Sequence, residues 1–288
     1  MQDNLEVVAA PLFFALLVGS GLVWAAVIRR LFRRQPLVEL EPRVAVLWSG
    51  IDLVVLATTL LFCEIAAGAV AARVAGASSG GMSPESLLVA SIAHVGWLAF
   101  AVVYLVVKRG AYLNDFGMDA RRMAGDARLG GFIFLAALVP VFGVQGFFVY
   151  VLDMPSEHPL LKMMQDEPSV AIMALATVAA VGVAPVFEEF VFRVVLQGWL
   201  ESQQVRLRQL RGGGVDQQPG FVPIVIASVV FAMLHFGHGP DPIALFVFSL
   251  FLGYAYRQTH RIFPSLVVHA CLNGWTMLNL WLLFLAEK

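Results

Sequence analysis

The chain has 288 residues, of which 59% are hydrophobic and 14% charged, and its mean hydropathy is +0.80. So many apolar residues exceed what one soluble core buries, and the composition is typical of a polytopic membrane protein. The formal net charge of −1 gives no reason to expect nucleic-acid binding. We therefore predict an all-α fold, a polytopic bundle of transmembrane helices.

Eight apolar segments follow one another, and roughly 20 apolar residues are needed to cross a hydrocarbon core of about 30 Å. The sixth and seventh are short and are separated by a turn-forming stretch at 237–242, which predicts a tight helical hairpin. Because the loops are short, we predict one continuous membrane domain, with N-terminal helices at 1–128 and a core at 129–288. The predicted segments are 7–28, 44–72, 87–107, 129–152, 170–200, 221–236, 243–256 and 262–286.

The positive charges are concentrated in alternate loops. Fifteen of the nineteen Lys and Arg residues fall within 29–43, 108–128, 206–211 and 257–261, which follow the first, third, fifth and seventh segments. By the positive-inside rule these loops are cytoplasmic, and both termini are predicted to lie on the non-cytoplasmic side. The protein is thus expected to be a multi-pass integral membrane protein, with membrane lipid as one partner.

The fifth segment carries two adjacent carboxylates and an arginine, Glu188, Glu189 and Arg193. Charges inside a bilayer are costly and usually functional. Glu189 and Arg193 are four residues apart on one helix face, which predicts an internal ion pair. The side chain of Glu188 points about 100° away from that of Glu189, so Glu188 is free to take a different role. Pro185 is expected to kink this helix or to free a carbonyl.

Two later segments carry polar pairs with the same spacing of four. Phe231 and His235 share a face of the sixth segment, where the ring is expected to shield the imidazole from lipid. His269 and Asn273 share a face of the eighth segment. A carboxylate, two imidazoles and an amide at similar depth are enough to activate a water and to stabilise an oxyanion.

These three patterns occur in the order Glu-Glu-x-x-x-Arg, Phe-x-x-x-His and His-x-x-x-Asn, on three separate segments. In this order they resemble the CAAX prenyl endopeptidase and bacteriocin-processing (CPBP, Abi-type) family of intramembrane proteases. The resemblance covers roughly residues 165–280. The segments before it match in character only.

The resemblance implies a membrane-embedded endopeptidase that cleaves membrane-associated or lipidated proteins or peptides. Glu188 and His235 would activate a water, while His269 and Asn273 would stabilise the tetrahedral oxyanion. The supporting residues would be Glu189, Arg193 and Phe231.

Zinc is the one cofactor that we consider, because members of this family have been called metalloproteases. The chain lacks His-Glu-x-x-His, the zinc signature that lies on one helix. Glu188, His235 and His269 are the candidate ligands if zinc is present. An obligatory metal is disfavoured, because only Asn273 would then remain as an oxyanion donor.

Two other classes of protein remain open. A proton- or ion-coupled transporter would use intramembrane ionisable groups as a relay. The chain has no internal repeat, which argues against a transporter built from inverted halves. A non-catalytic scaffold would keep the fold without activity, and the complete set of motifs argues against it. In the transporter alternative, the relay would consist of Glu64, Glu188, His235 and His269.

Several polar residues lie outside the motifs. Asp52, Glu64 and His94 fall inside the second and third segments and are left without an assigned role. A group of arginines falls on the predicted cytoplasmic side near the expected entrance to the site, where it could attract anionic lipid or an acidic peptide terminus, although topology alone is the usual explanation for such charges. This group consists of Arg206, Arg208 and Arg211.

Overall fold

The structure, a computed structural model, describes residues 2–42, 45–74, 82–166, 168–212 and 218–286, with side chains from residue 11 onward. Over these ranges it is helical and contains no β-strand, so the all-α prediction is confirmed. The helices are α1 (Gln2–Phe32), α2 (Gly50–Val74), α3 (Pro84–Arg109), α4 (Met123–Val151), α5 (Pro159–Asp166), α6 (Val170–Leu210), α7 (Val222–Met233), α8 (Asp241–Thr259) and α9 (Ile262–Ala286).

Each of the eight predicted segments is helical. Six of the described helices are long and apolar enough to cross a membrane: α1, α2, α3, α4, α6 and α9. The sixth and seventh segments correspond to α7 and α8, of 12 and 19 residues, which do not reach that measure, so their crossing of the membrane remains a prediction. The predicted start of the second segment, at residue 44, lies outside the described residues, and α2 begins at Gly50. Helix α5 was not predicted.

The arginine-rich loops meet at one end of the bundle. Arg261, which follows α8, pairs with Glu41 after α1 at 2.5 Å and with Asp126 at the start of α4 at 2.8 Å. Arg257 donates to the carbonyl of Pro219, in the described part of the loop after α6. We call this the arginine end. Its loops follow every second segment, so the eight segments alternate in direction as the charge pattern predicts.

The opposite end is formed by residues 152–158, α5 and the turn between α7 and α8. Ser156 donates to the Asp241 carboxylate at 2.7 Å, and the backbone N–H of Glu157 donates to the carbonyl of His238. These contacts hold the loop after α4 against the turn between α7 and α8.

Asp52, which the motifs leave unassigned, anchors the arginine end. Its buried carboxylate accepts hydrogen bonds from the backbone N–H and hydroxyl of Ser49, from the Tyr104 hydroxyl and from the Arg109 guanidinium. A buried carboxylate with this many donors is well satisfied. Asp52 therefore ties the start of α2 to the end of α3 and has a structural role.

Helix α6 is not a uniform α-helix. It contains two π-helical stretches, Val178–Val183 and Phe190–Gln197, on either side of the α-helical turn Ala184–Glu189. Wider π turns leave some carbonyls without their usual backbone partner and often occur at functional sites. With 41 residues the helix is about 60 Å long at 1.5 Å per residue, so it extends beyond a bilayer at one end.

Candidate active site

A cavity of about 500 Å³ opens among α3, α4, α6, α7, α8 and α9. Its lining includes all four residues expected to carry the chemistry: Glu188, His235, His269 and Asn273. The three motifs, which lie on different helices, therefore converge on one space. The remaining wall is mainly apolar, which is the usual character of a pocket with a few directing polar groups.

His269 of α9 lies between the two glutamates of α6. Its Nδ1 is 2.9 Å from Oε1 of Glu189, and its Nε2 is 3.7 Å from Oε2 of Glu188. The Glu189 side chain is fully buried, whereas 21% of the Glu188 side chain is accessible from the cavity. Glu188 is therefore the carboxylate that can meet water or substrate, and Glu189 holds the imidazole ring in place.

Arg193 lies on the other side of Glu189 and forms the predicted ion pair. Its Nε is 3.2 Å from Oε2 of Glu189, and its Nη2 donates to the Ser249 hydroxyl of α8 at 3.0 Å. The guanidinium carbon lies 5.5 Å from the centre of the Phe231 ring, within cation–π range. Both charged groups are fully buried, so each depends on the other for compensation.

Phe231 and His235 complete the wall on the side of α7. The His235 Nδ1 lies 3.0 Å from the Phe231 carbonyl, so Nε2 is left for the cavity. The buried Phe231 ring packs 5.1 Å from the His235 ring and edge-on to His269 at 6.2 Å. This packing restricts both imidazoles, in agreement with the shielding role expected from the spacing.

The position of Asn273 follows from Pro185. In the π-helical stretch Val178–Val183 the N–H of Ala184 donates to the carbonyl of Ala179. The next carbonyl in this register, that of Ala180, would need an N–H at Pro185, which proline does not have. Asn273 supplies the missing donor, because its side-chain Nδ2 donates to the Ala180 carbonyl at 2.8 Å. The second hydrogen of the same amide is left for the cavity.

One family model matches the part of the chain that carries this site. Residues 170–275 match the model of the type II CAAX prenyl endopeptidase Rce1-like family. All three motifs fall inside the matched range, which confirms the resemblance to the CPBP intramembrane proteases. No curated protein and no solved structure matches the chain significantly. The Rce1-like segment runs from the start of α6 into α9.

The residues of the Rce1-like segment do not fit a zinc site in this structure. Among the described residues, no group of three or more His, Cys, Asp or Glu side chains is arranged to hold a metal ion. The candidate ligands Glu188, His235 and His269 all line the cavity without forming such a group.

Two histidines outside the three motifs also share the cavity, and the sequence gives neither of them a role in the site. His94 of α3 lies on the wall, stacks on the Phe187 ring at 4.1 Å and bonds to Glu64 of α2 at 2.9 Å. His158, in the loop after α4, also lines the cavity. Their positions depend on packing between helices far apart in the chain, although a histidine inside a span was already a signal for His94.

The expected arginine group does not lie at an entrance. The cavity lining contains none of its members, because Arg206 and Arg208 lie on the last turns of α6 and Arg211 directly follows that helix, at the arginine end. The side chain of Arg208 instead donates to the carbonyl of Gln218. These arginines therefore do not contact the cavity, and their position agrees with a role in topology alone.

Proposed function

We propose that this protein is an intramembrane endopeptidase that hydrolyses peptide bonds of membrane-associated or lipidated proteins or peptides. One observation carries the proposal. His269 lies between a buried carboxylate, Glu189, and an accessible one, Glu188, in a cavity that His235 and Asn273 also line. The match to the Rce1-like family supports the same class of reaction.

Glu188 is the proposed general base. Its Oε2 and the His269 Nε2 are 3.7 Å apart, so a single water can lie within about 2.8 Å of both atoms. A carboxylate within hydrogen-bond reach of a water can accept its proton while the oxygen attacks the peptide carbonyl. His235, which also lines the cavity, is proposed to orient the same water.

His269 and Asn273 are the proposed oxyanion donors. In its imidazolium form His269 donates from both ring nitrogens, through Nδ1 to Glu189 and through Nε2 into the cavity. The cluster is then electroneutral, since two carboxylates are balanced by this imidazolium and by Arg193. Neutrality matters here because an unbalanced charge in a low-dielectric site is expensive.

The proton taken by Glu188 completes the reaction. As the tetrahedral intermediate collapses, the carbon–nitrogen bond breaks and Glu188 returns the proton to the leaving nitrogen. The products are a new carboxyl terminus and a new amino terminus. No net proton is stored on the enzyme, and no further reactant is needed besides water.

Replacing Glu188 tests the proposal. Glu188→Gln keeps the shape and polarity of the side chain but cannot accept the proton, so cleavage is expected to fall by at least about 100-fold. The readout is the set of new peptide termini, measured by mass spectrometry of membranes that contain the native chain or the variant. Glu39→Gln, an exposed position at the arginine end, is the matched control and should retain activity.

Thermal unfolding in detergent shows whether each variant is folded. A folded Glu188→Gln protein that still produces the same termini at the native rate would exclude Glu188 as the base. A set of termini identical with and without the native chain would count against proteolysis itself.

A further inference from the structure

The cavity occupies only one half of the bundle. On α3 its lining residues fall within 87–94, near the start of the helix, and on α6 within 179–188, before the midpoint. On α4 they lie within 141–145, near its end, and on α8 within 241–245, at its start. Because neighbouring helices alternate in direction, all these stretches lie toward the opposite end of the molecule, away from the arginine end.

The side of the cavity that faces the arginine end is closed by buried side chains. Directly beyond Glu189 come Arg193, Phe190 and Phe248, each at most 1% exposed. The next layer is polar and equally buried, since the Gln197 amide donates both to Glu201 at 2.7 Å and to the Gly253 carbonyl at 2.8 Å. A peptide or a reagent coming from the arginine end would have to displace both layers.

The opposite end reaches the cavity directly. Met82, which precedes α3, lines the cavity and is 36% exposed. Ser156 and His158, from the loop after α4, and Leu161 of α5 are also part of the lining. The mouth is therefore built from the segments that connect helices at this end.

The chemistry of the lining limits what can bind. Among the described residues that line the cavity there is no Lys or Arg, while Glu188 and Asp241 contribute carboxylates. A peptide with a free C-terminal carboxylate inside the cavity would meet these acidic groups, while the proposed His269 imidazolium is already paired with Glu188 and Glu189. An internal segment with apolar side chains carries no such charge and matches the apolar wall.

We propose, on the basis of the proposed proteolytic function, that the substrate is an internal apolar polypeptide segment that enters from the face opposite the arginine end. The positive-inside rule places that face outside the cytoplasm. The substrate class is then the outer part of a membrane span or the apolar leader of an exported chain. The C-terminal tail of a cytoplasmic protein does not belong to this class.

Cysteine labelling tests the direction of access. Ser91 lines the cavity on α3, and Ser91→Cys is nearly isosteric. Leu210→Cys, at the arginine end of α6 where Leu210 is 75% exposed, is the control for the other face. Both are placed in a chain with Cys63→Ala and Cys271→Ala, which removes the two native thiols.

A charged, membrane-impermeant methanethiosulfonate is applied to intact cells and to inverted membrane vesicles. Since water-exposed thiolates react fastest, Ser91→Cys should be modified at least about tenfold faster in cells, and Leu210→Cys at least about tenfold faster in vesicles. Faster modification of Ser91→Cys in inverted vesicles overturns the proposed direction. Absence of modification from both faces overturns the open cavity.

Mapping of cleavage sites tests the substrate class. Termini that appear with the native chain and disappear with Glu188→Gln should lie inside polypeptides, within or beside apolar segments on the non-cytoplasmic side. Glu188-dependent release of short C-terminal peptides from cytoplasmic proteins would overturn the proposed class. Absence of any Glu188-dependent terminus would count against proteolysis, while the labelling result, which needs no activity, would still report the direction of access.

Discussion

Glu188 and Glu189 are adjacent in the chain but have different surroundings. Successive residues of a helix point about 100° apart, so one carboxylate faces the cavity and the other faces the core. The contacts of Glu189 there include Arg193 along its own helix and His269 across the interface to α9. It balances a buried cation and also fixes the orientation of an imidazole, as carboxylates commonly do for functional histidines.

Glu189→Gln should therefore reduce stability more than it reduces chemistry. The amide oxygen can still accept from the Nδ1–H of His269, but Arg193 loses its counter-charge while buried, at a cost of roughly 3 to 5 kcal/mol. We expect a large fall in the thermal midpoint in detergent. We also expect more activity per folded molecule than Glu188→Gln retains. A Glu189→Gln protein that is as stable as the native chain but inactive would show that the base has been assigned to the wrong carboxylate.

The sequence predicts the contacts within a helix better than those between helices. The spacing of four between Glu189 and Arg193 is sufficient to predict their ion pair, since both lie on one helix face. The bond between Glu189 and His269 joins residues 80 positions apart and depends on how α6 packs on α9. The same limit applies to His94, whose pairing with Glu64 could not be read from spacing alone.

Helix α6 shows how a local irregularity positions a functional group. The sequence predicts a helix here and a disturbance at Pro185, and both are present. It does not predict the π-helical register, which selects the Ala180 carbonyl as the one left without a backbone donor. Nor does it show that Asn273, from another helix, is the residue that satisfies it. The π-helical stretch packs against α9 and α3, and the proline supplies only the missing N–H.

A double-mutant cycle tests this link. Asn273→Ala leaves the Ala180 carbonyl unsatisfied, which should cost about 1 to 3 kcal/mol of stability. It also removes a proposed oxyanion donor, for which losses of about 100-fold to 1,000-fold in rate are typical. Adding Pro185→Ala supplies an N–H at position 185 that can reach the same carbonyl. The double variant should therefore recover most of the lost stability but not the activity.

Thermal midpoints and cleavage rates of the four proteins, including the single Pro185→Ala variant, provide the measurement. Strict additivity of the two stability changes would show that no carbonyl is shared. Recovery of activity in the double variant would show that Asn273 acts only on the backbone of α6.

At the scale of the whole molecule, the two ends of the bundle have different charge and different roles. At the arginine end Arg261 joins Asp126 and Glu41, and Asp52 joins Arg109, so positive loop residues also link helices there. The opposite end carries the cavity mouth. Composition and loop charge were sufficient to predict the membrane bundle and its alternation. Composition and loop charge do not indicate which end is open, because that depends on where large side chains fill the interior between the helices.

A pair of histidines is packed at the cavity mouth. The rings of His158 and His238 are 5.1 Å apart, His235 lies 6.0 Å beyond His238, and the Asp241 carboxylate lies beside them. Burial, together with the nearby His238, lowers the pKa of His158 from 6.5 to about 4. Burial also lowers the pKa of His238. The folded loop therefore contains a neutral His158 at pH values where the unfolded chain already binds a proton.

This difference predicts how stability depends on pH. Between pH 6.5 and about 4 the unfolded state holds more protons on His158 than the folded state. The contribution of neutral His158 to the free energy of unfolding is therefore fully present above pH 6.5 and is lost as the pH falls toward 4. The full loss is about 3 kcal/mol near pH 4.

His158→Asn keeps an acceptor for the Leu160 N–H and removes the titration. Unfolding of both proteins in detergent should show a steeper loss of stability for the native chain between pH 6.5 and 4. Parallel pH profiles for the two proteins would contradict a neutral, buried His158 at the mouth.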